Sequence, residues 1–193
     1  MIKKLAERIV GWQTEKHFLS ERERGLYEYG YEVMLNQVIN ILIAVLIAVL
    51  FRAPMPVFVF LISYIPLRSY CGGHHARTNE GCTVVSAILL CLICILYRVI
   101  PETIDNIIQP MAYIISGWLI IRYAPVEDVN KPLVEKEVVR YRKMGRCVWF
   151  VESLIGVSLF FVQSRIGVVL ALSHMVLCVM LYWGVLVNRK LKQ

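Results

Sequence analysis

Charged side chains are scarce in this sequence, and their scarcity decides the class of protein. Only 18% of the 193 residues are Asp, Glu, Lys or Arg, whereas 58% are hydrophobic. A typical soluble domain has about 25% charged and about 45–50% apolar residues. The apolar residues here form long blocks, which is the pattern of a polytopic membrane protein. We therefore expect an all-α bundle of transmembrane helices, forming one integral-membrane domain over residues 1–193.

Two further signals are missing from the chain. Residues 1–30 contain no uninterrupted apolar stretch of the kind that forms a signal peptide. The six cysteines do not follow the spacing of a secreted disulfide framework, and most lie in or beside apolar blocks. We therefore expect reduced thiols rather than disulfides.

Six apolar blocks follow one another along the chain, separated by proline, polar and charged residues. The second block is short, since a full helical crossing needs about 20 apolar residues. A long charged segment, residues 122–146, separates the fourth block from the fifth. The predicted spans are residues 33–51, 55–70, 82–100, 107–121, 147–162 and 166–187.

The first 30 residues are predicted to form amphipathic helices on the cytoplasmic side of the membrane. Ile2, Leu5, Ile9 and Trp12 lie on one stripe of a helix, with charged residues elsewhere. Such a helix can lie on an anionic lipid leaflet. It can equally pack on the cytoplasmic face of the protein itself, and the sequence does not separate the two arrangements.

The basic residues orient the six spans. With the amino terminus in the cytoplasm, all lysines and arginines except Arg52, Arg98 and Arg165 fall in cytoplasmic segments. This asymmetry satisfies the positive-inside rule and places both termini and residues 68–82 at the cytoplasmic face. The net charge of +7 is then explained by the membrane and by anionic phospholipid. We therefore expect no nucleic-acid partner.

Residues 68–82 form the polar segment with the strongest chemical signal. Cys82 stands where this segment becomes an apolar helix, after the N-cap residue types of Thr78 and Asn79. A helix N-terminus favours a thiolate over a thiol. His75 lies seven residues earlier, and the flexible pair at residues 72–73 lets the chain fold back toward Cys82. The pattern indicates a cysteine nucleophile activated by a histidine base.

Two other interpretations of this segment stay open on the residues alone. Cys82 can be an inert buried cysteine next to an ordinary loop histidine. Alternatively, Cys71, His74, His75 and Cys82 have the side-chain types of a tetrahedral zinc site. Adjacent histidines rarely bind one metal together, and no established zinc motif accompanies them. We therefore predict no metal and no other cofactor.

Polar side chains within the spans have two possible roles. Glu32 and Asn36 lie one helical turn apart at the start of the first span, so we expect them to face the bundle interior rather than lipid. They could line a substrate cleft and orient His75, or simply form hydrogen bonds between helices. Glu152 in the fifth span allows the same two roles, and His174 in the sixth is better explained as a bundle residue.

Two stretches together resemble a known family, the accessory gene regulator B family of bacterial membrane endopeptidases. The first is Arg68-x4-Gly73-x-His75-x6-Cys82, and the second is residues 123–133, YAPVEDVNKPL. The resemblance implies a quorum-sensing enzyme whose substrate is a signal propeptide of the accessory gene regulator D type. It implies that Cys82 cleaves off the propeptide's carboxyl-terminal tail through an acyl-enzyme thioester, with His75 as the acid–base residue. The product is then a cyclic thiolactone or lactone peptide.

The resemblance also implies supporting roles and a possible homodimer. Arg68 would bind the acidic tail or the oxyanion, or simply anchor the end of its helix, and Gly73 would provide a tight turn. The competing class is a non-catalytic exporter or sensor subunit, in which residues 68–82 form a metal- or ligand-binding loop. A third catalytic residue is not identifiable from the sequence.

Overall fold

The described part of the chain is all-helical in this computed structural model. It comprises residues 2–16, 18–73, 78–127, 133–162 and 164–191, with only the backbone described at 79 and 189–191. An isolated bridge between Gly72 and Val126 is the one extended pairing among these residues. The helices are α1 (Ile2–Glu15), α2 (Arg24–Leu50), α3 (Pro54–Cys71), α4 (Asn79–Val99), α5 (Glu102–Tyr123), α6 (Glu135–Phe161) and α7 (Ile166–Leu191).

Five of these helices, α2 and α4 to α7, are long and apolar enough to cross a membrane. The six predicted spans fall on α2 to α7, so the predicted fold class is confirmed. Of the helices α2 to α7, α3 is not among those that are long and apolar enough to cross a membrane. It has 18 residues and contains Pro66 and Arg68. The charged residues from Glu135 onward and the predicted fifth span form one continuous helix, α6, of 27 residues.

The most buried helix is α7, which lies against α5 and α3 in the centre of the bundle. Because lipid is as apolar as a leucine side chain, such helices associate mainly through close packing and small residues. Two glycines show this directly. A Cβ at Gly117 would collide with the Trp149 ring, and one at Gly156 would collide with the Tyr113 hydroxyl. These positions let α5 and α6 approach closely.

Short turns after α2, α4 and α6 lie at one end of the bundle. Arg52, Arg98 and Arg165 lie at this end. They are the three basic residues that the sequence predicts to lie outside the cytoplasmic segments. Arg98 donates to the carbonyl of Phe51. The other end of the bundle carries the end of α3, the start of α4 and the loop after α5. We call it the site end.

Helix α1 folds back along α2. Ala6 and Val10 are buried, and the Gln13 amide donates to the Tyr31 hydroxyl at 2.7 Å. Trp12, which the sequence placed on an apolar stripe, is 54% exposed. Of the two arrangements that the sequence allowed, the structure shows α1 packed on the protein itself. Ala6 and Val10 form the centre of the contact, whereas Leu5 and Trp12 remain exposed.

Candidate active site

The site end is built where the end of α3 meets the loop after α5. The amide of Val126 donates to the Cys71 carbonyl at 2.9 Å, and the amide of Gly73 donates to the Val126 carbonyl at 3.4 Å. Gly72 and Gly73 have φ angles of 72° and 119°, in a region that favours glycine. A Cβ at Gly72 would collide with the Val126 carbonyl. The two segments that carry the family resemblance are therefore in direct contact.

Arg68 lies in the last turn of α3 and is tied to this diglycine turn. Its guanidinium donates a hydrogen bond to the Gly72 carbonyl. A Cβ at Gly73 would collide with the same guanidinium, and it would lie 2.7 Å from the Met180 carbonyl of α7. Arg68 therefore holds the turn in place, a role that neither sequence interpretation of this residue included.

The loop after α5 is also held from α7. The side-chain amide of Asn188 donates to the Glu127 carbonyl at 2.7 Å. Ala124 and Val126 are buried between α3 and α7. The start of this loop, up to residue 127, is thus held in place at the site end by contacts with α3 and α7. Residues 128–132 of the second motif lie outside the described residues.

Cys82 lies in the first turn of α4, as the sequence predicts. Thr78 is the N-cap residue, and its hydroxyl accepts from the Gly81 amide at 3.1 Å. The Cys82 amide donates to the Thr78 carbonyl at 3.0 Å. The Cys82 thiol is free and half-buried. This position puts the sulfur at the positive end of the α4 dipole.

The neighbourhood of Cys82 includes residues from α2 and α3. Tyr64 of α3 interacts electrostatically with both Arg68 and Cys82, so the thiol lies near α3. The Thr83 hydroxyl donates to the Asn36 side chain at 3.4 Å. Asn36 therefore reaches the residue next to Cys82, and Glu32 lies one turn earlier on α2.

The predicted base, His75, lies outside the described residues, as does His74. The contact between His75 and Cys82 therefore stays a prediction. Of the zinc candidates, Cys71 is fully buried, and its sulfur packs against Gly145 of α6. Within the described ranges, no three His, Cys, Asp or Glu side chains are grouped closely enough to hold a metal ion.

A second polar centre lies in the middle of the bundle, around Glu152 and His174. Glu152 Oε2 accepts from the Ser63 hydroxyl at 2.6 Å and lies 3.1 Å from His174 Nε2. His174 Nδ1 lies 3.0 Å from the Ser116 hydroxyl. All four residues are buried, so they are separated from solvent. We call Ser63, Ser116, Glu152 and His174 the buried network.

The buried network joins four helices, α3, α5, α6 and α7. Trp149 adds a hydrogen bond to the Ser116 hydroxyl at 3.0 Å, and the Tyr113 ring lies edge-on to His174 with centroids 5.1 Å apart. The sequence allowed Glu152 either in a cleft or within the bundle, and the structure shows it within the bundle. The serines gave no sequence signal, because a single serine in an apolar helix is unremarkable.

Comparison with known proteins identifies a family model that matches nearly the whole chain and relatives that match about two thirds of it or more. The family model described as accessory gene regulator B matches residues 2–186. An AgrB-like protein of Clostridium perfringens (strain SM101 / Type A) is 26% identical over 136 residues, covering 67% of this chain and 63% of the relative. An AgrB-like protein 2 of Clostridium perfringens (strain 13 / Type A) is 24% identical over 149 residues, covering 73% and 67%.

An AgrB-like protein of Listeria innocua (serovar 6a) is 26% identical over 135 residues, covering 69% of this chain and 65% of the relative. The chain therefore spans about two thirds of the length of the curated relatives that it matches. No solved structure matches the chain.

Proposed function

Because the chain belongs to the accessory gene regulator B family, we propose that it is a quorum-sensing cysteine endopeptidase that processes a signal propeptide. The family and the apolar helices make it a multi-pass membrane protein. The proposal of an enzymatic activity rests on the position of Cys82, which is a half-buried free thiol in the first turn of α4. We take residues 1–193 as one peptidase domain.

The proposed reaction starts with proton transfer from the Cys82 thiol to His75. The thiolate attacks the peptide bond between the signal sequence and its carboxyl-terminal tail, and His75 returns the proton to the leaving amine. The tail departs and the signal sequence remains on Cys82 as a thioester. A thiol or hydroxyl within the signal sequence then gives its proton to His75 and attacks the thioester carbonyl. The bond between the acyl group and the Cys82 sulfur breaks, a thiolactone or lactone ring closes, and the Cys82 thiolate takes the proton back from His75. An internal nucleophile competes well with water because its effective concentration is very high.

Other residues at the site end have supporting roles in this proposal. Arg68 and Gly73 shape the turn that leads toward His75, since the guanidinium bonds to the turn itself. Asn36 and Glu32 steady the start of α4 from α2 through the Asn36 contact to Thr83. Each of these residues acts through the position of Cys82 or His75 rather than on the substrate.

The substrate is proposed to be a propeptide of the accessory gene regulator D type with an acidic tail. The first half of α6 carries exposed basic side chains at the site end, where such a tail would be attracted. These residues are Arg140, Arg142, Lys143 and Arg146.

We place the site end and both termini at the cytoplasmic face of a bacterial cell membrane. The support is the position of Arg52, Arg98 and Arg165, which all lie at the opposite end of the bundle. Anionic phospholipid would attract the remaining basic segments. A homodimer belongs to the same proposal and is supported by the family alone.

The test is propeptide cleavage by the full chain in lipid vesicles. We expect wild type to release the tail, and Cys82→Ser and His75→Ala to release none above background. Cys147→Ser is the matched control, since Cys147 is an exposed free thiol on α6, and it should cleave at the wild-type rate. A propeptide without its internal nucleophile should accumulate a thioester on wild type that hydroxylamine removes.

Cleavage by Cys82→Ser at the wild-type rate would exclude Cys82 as the nucleophile. If instead the wild-type protein and both variants all leave the propeptide intact, the non-enzymatic alternative gains support. In that case the protein is a non-catalytic exporter or sensor subunit, and residues 68–82 bind a ligand or metal.

A further inference from the structure

A groove of about 490 Å³ lies between α1 and the middle of α2. Two basic side chains on the α1 side, Lys4 and Arg8, lie one helical turn apart in its lining. The rest of the lining is apolar, and no acidic side chain belongs to it among the described residues. The groove therefore combines an apolar wall with two positive charges. The apolar lining residues are Ile2, Leu5, Leu35, Val38 and Ile39.

Lys4 and Arg8 have no counter-charge in the described part of the protein. The ion pairs of that part are formed at Arg24, Arg165 and His174. Neither Lys4 nor Arg8 forms a hydrogen bond with another described residue. Both residues are exposed, so their charged groups can bind a ligand that lies outside the protein. An anion is the ligand that two such cations attract.

The depth of the groove is set by its position along α2. This helix is a candidate membrane span that ends at Leu50, opposite the site end. At 1.5 Å per residue, Ile39 and Leu35 lie about 17 Å and about 23 Å from that end. The hydrocarbon core of a bilayer is about 30 Å thick, so the groove lies in the half nearer the site end. Long basic side chains at this depth extend toward the lipid headgroups.

The apolar wall continues along α2 beyond the groove. Leu42 and Leu46 follow Val38 by one and two helical turns on the same face, and they are 62% and 57% exposed. This face runs from the two cations toward the end of α2 at Leu50. A molecule with a charged head and a long apolar chain would match both the groove and the face below it.

We infer that the groove binds one anionic phospholipid, with its phosphate between Lys4 and Arg8 and one acyl chain along Val38, Leu42 and Leu46. Phosphate oxygens accept strong hydrogen bonds from guanidinium and ammonium groups. Basic pockets at the cytoplasmic side of membrane proteins are known to bind anionic headgroups. A lipid with a choline headgroup fits less well, because its own cation would face two others. Soluble phosphate fits less well, because it would leave the apolar wall uncovered.

This inference goes beyond the proposed peptidase, because lipid binding in the groove needs neither Cys82 nor His75. It also differs from a general attraction of basic segments to an anionic leaflet. It assigns one lipid to one groove, and it makes that lipid a bridge between α1 and α2.

The test is native mass spectrometry of the full chain, released from detergent micelles with equal amounts of phosphatidylglycerol and phosphatidylcholine of identical acyl chains. We expect wild type to retain one lipid and to prefer phosphatidylglycerol by about tenfold or more. Lys4→Gln combined with Arg8→Gln should remove this preference. Lys3→Gln combined with Lys16→Gln is the matched control, because it removes the same charge from exposed residues outside the groove. It should keep the preference.

A second variant tests the apolar wall without changing any charge. Val38→Trp fills the groove, so it should lower the amount of retained phosphatidylglycerol several-fold. Ile62→Trp is its control, because Ile62 is exposed on α3 and does not line the groove. It should retain as much lipid as wild type. Inorganic phosphate in large excess should leave the retained lipid unchanged.

Equal retention of the two lipids by wild type would overturn the inference. An unchanged preference in the Lys4 and Arg8 double variant, or unchanged retention in Val38→Trp, would do the same. Displacement of the lipid by inorganic phosphate would show a simple anion site and would also overturn it. The experiment contains no propeptide, so a negative cleavage result would leave this inference standing.

Discussion

Replacing His174 with alanine should destabilise the fold without removing the chemistry. The imidazole has two polar contacts, to Glu152 at 3.1 Å and to Ser116 at 3.0 Å, and it packs edge-on against Tyr113. Hydrogen bonds between helices in a bilayer average about 0.6 kcal/mol each. The two contacts therefore account for about 1.2 kcal/mol, and the cavity left by the ring adds about 2 kcal/mol. We expect His174→Ala to lower the free energy of unfolding by about 3 kcal/mol.

The loss would be larger if Glu152 were left as a buried unpaired charge, since breaking such a pair costs about 3–5 kcal/mol. We favour the smaller figure because Glu152 keeps the hydrogen bond from the Ser63 hydroxyl, at 2.6 Å. The assay is unfolding by denaturant in mixed micelles, with propeptide cleavage measured on the folded fraction. Ser158→Ala is the control, because this exposed hydroxyl bonds only within its own helix. It should change stability by less than about 0.5 kcal/mol.

A double-mutant cycle tests the contact itself. Glu152→Ala and His174→Ala remove partners of the same interaction, so their effects should fail to add by about 0.5–3 kcal/mol. Additive effects would refute a direct contact between the two residues. A His174→Ala protein that keeps wild-type stability but cleaves nothing would refute the structural role and make the buried network part of the reaction.

Two further predictions concern the site end. Gly73→Ala requires a side chain at a φ of 119° against the Arg68 guanidinium, so it should lower stability by about 1–3 kcal/mol in the unfolding assay and cut cleavage at least tenfold. Gly25→Ala, where a Cβ meets nothing within 4 Å, is its control; it should keep wild-type cleavage and should not lower stability. Thr78→Ala removes the cap of α4, so it should lower stability by about 1 kcal/mol in the same unfolding assay. Thr78→Ser keeps a hydroxyl acceptor and should restore the stability, and unchanged stability in Thr78→Ala would contradict the role of the cap.

Local features of the chain were predictable because they depend on a few neighbouring residues. The apolar blocks mark α2 to α7, and the Thr78 cap places Cys82 in the first turn of α4. The contact between Gly72 and Val126 was not predictable, because more than fifty residues separate them and one bridge leaves no periodic pattern. The resemblance named both segments without indicating that they touch.

The buried network shows a second limit of the sequence. Which face of a span meets its neighbours depends on the rotation of each helix, and apolar residues cover all faces of these spans. Glu152 and His174 could be recognised as polar residues in apolar helices. Their pairing with each other, and with Ser63 and Ser116, depends on how four helices are rotated together.

The unbroken course of α6 has a mechanical consequence. Arg146, at the basic end, and Glu152, in the middle of the bundle, are six residues apart on one helix, a rise of about 9 Å. No loop or proline separates them. A movement of the basic half of α6 would therefore be carried along the helix to Glu152 and the buried network.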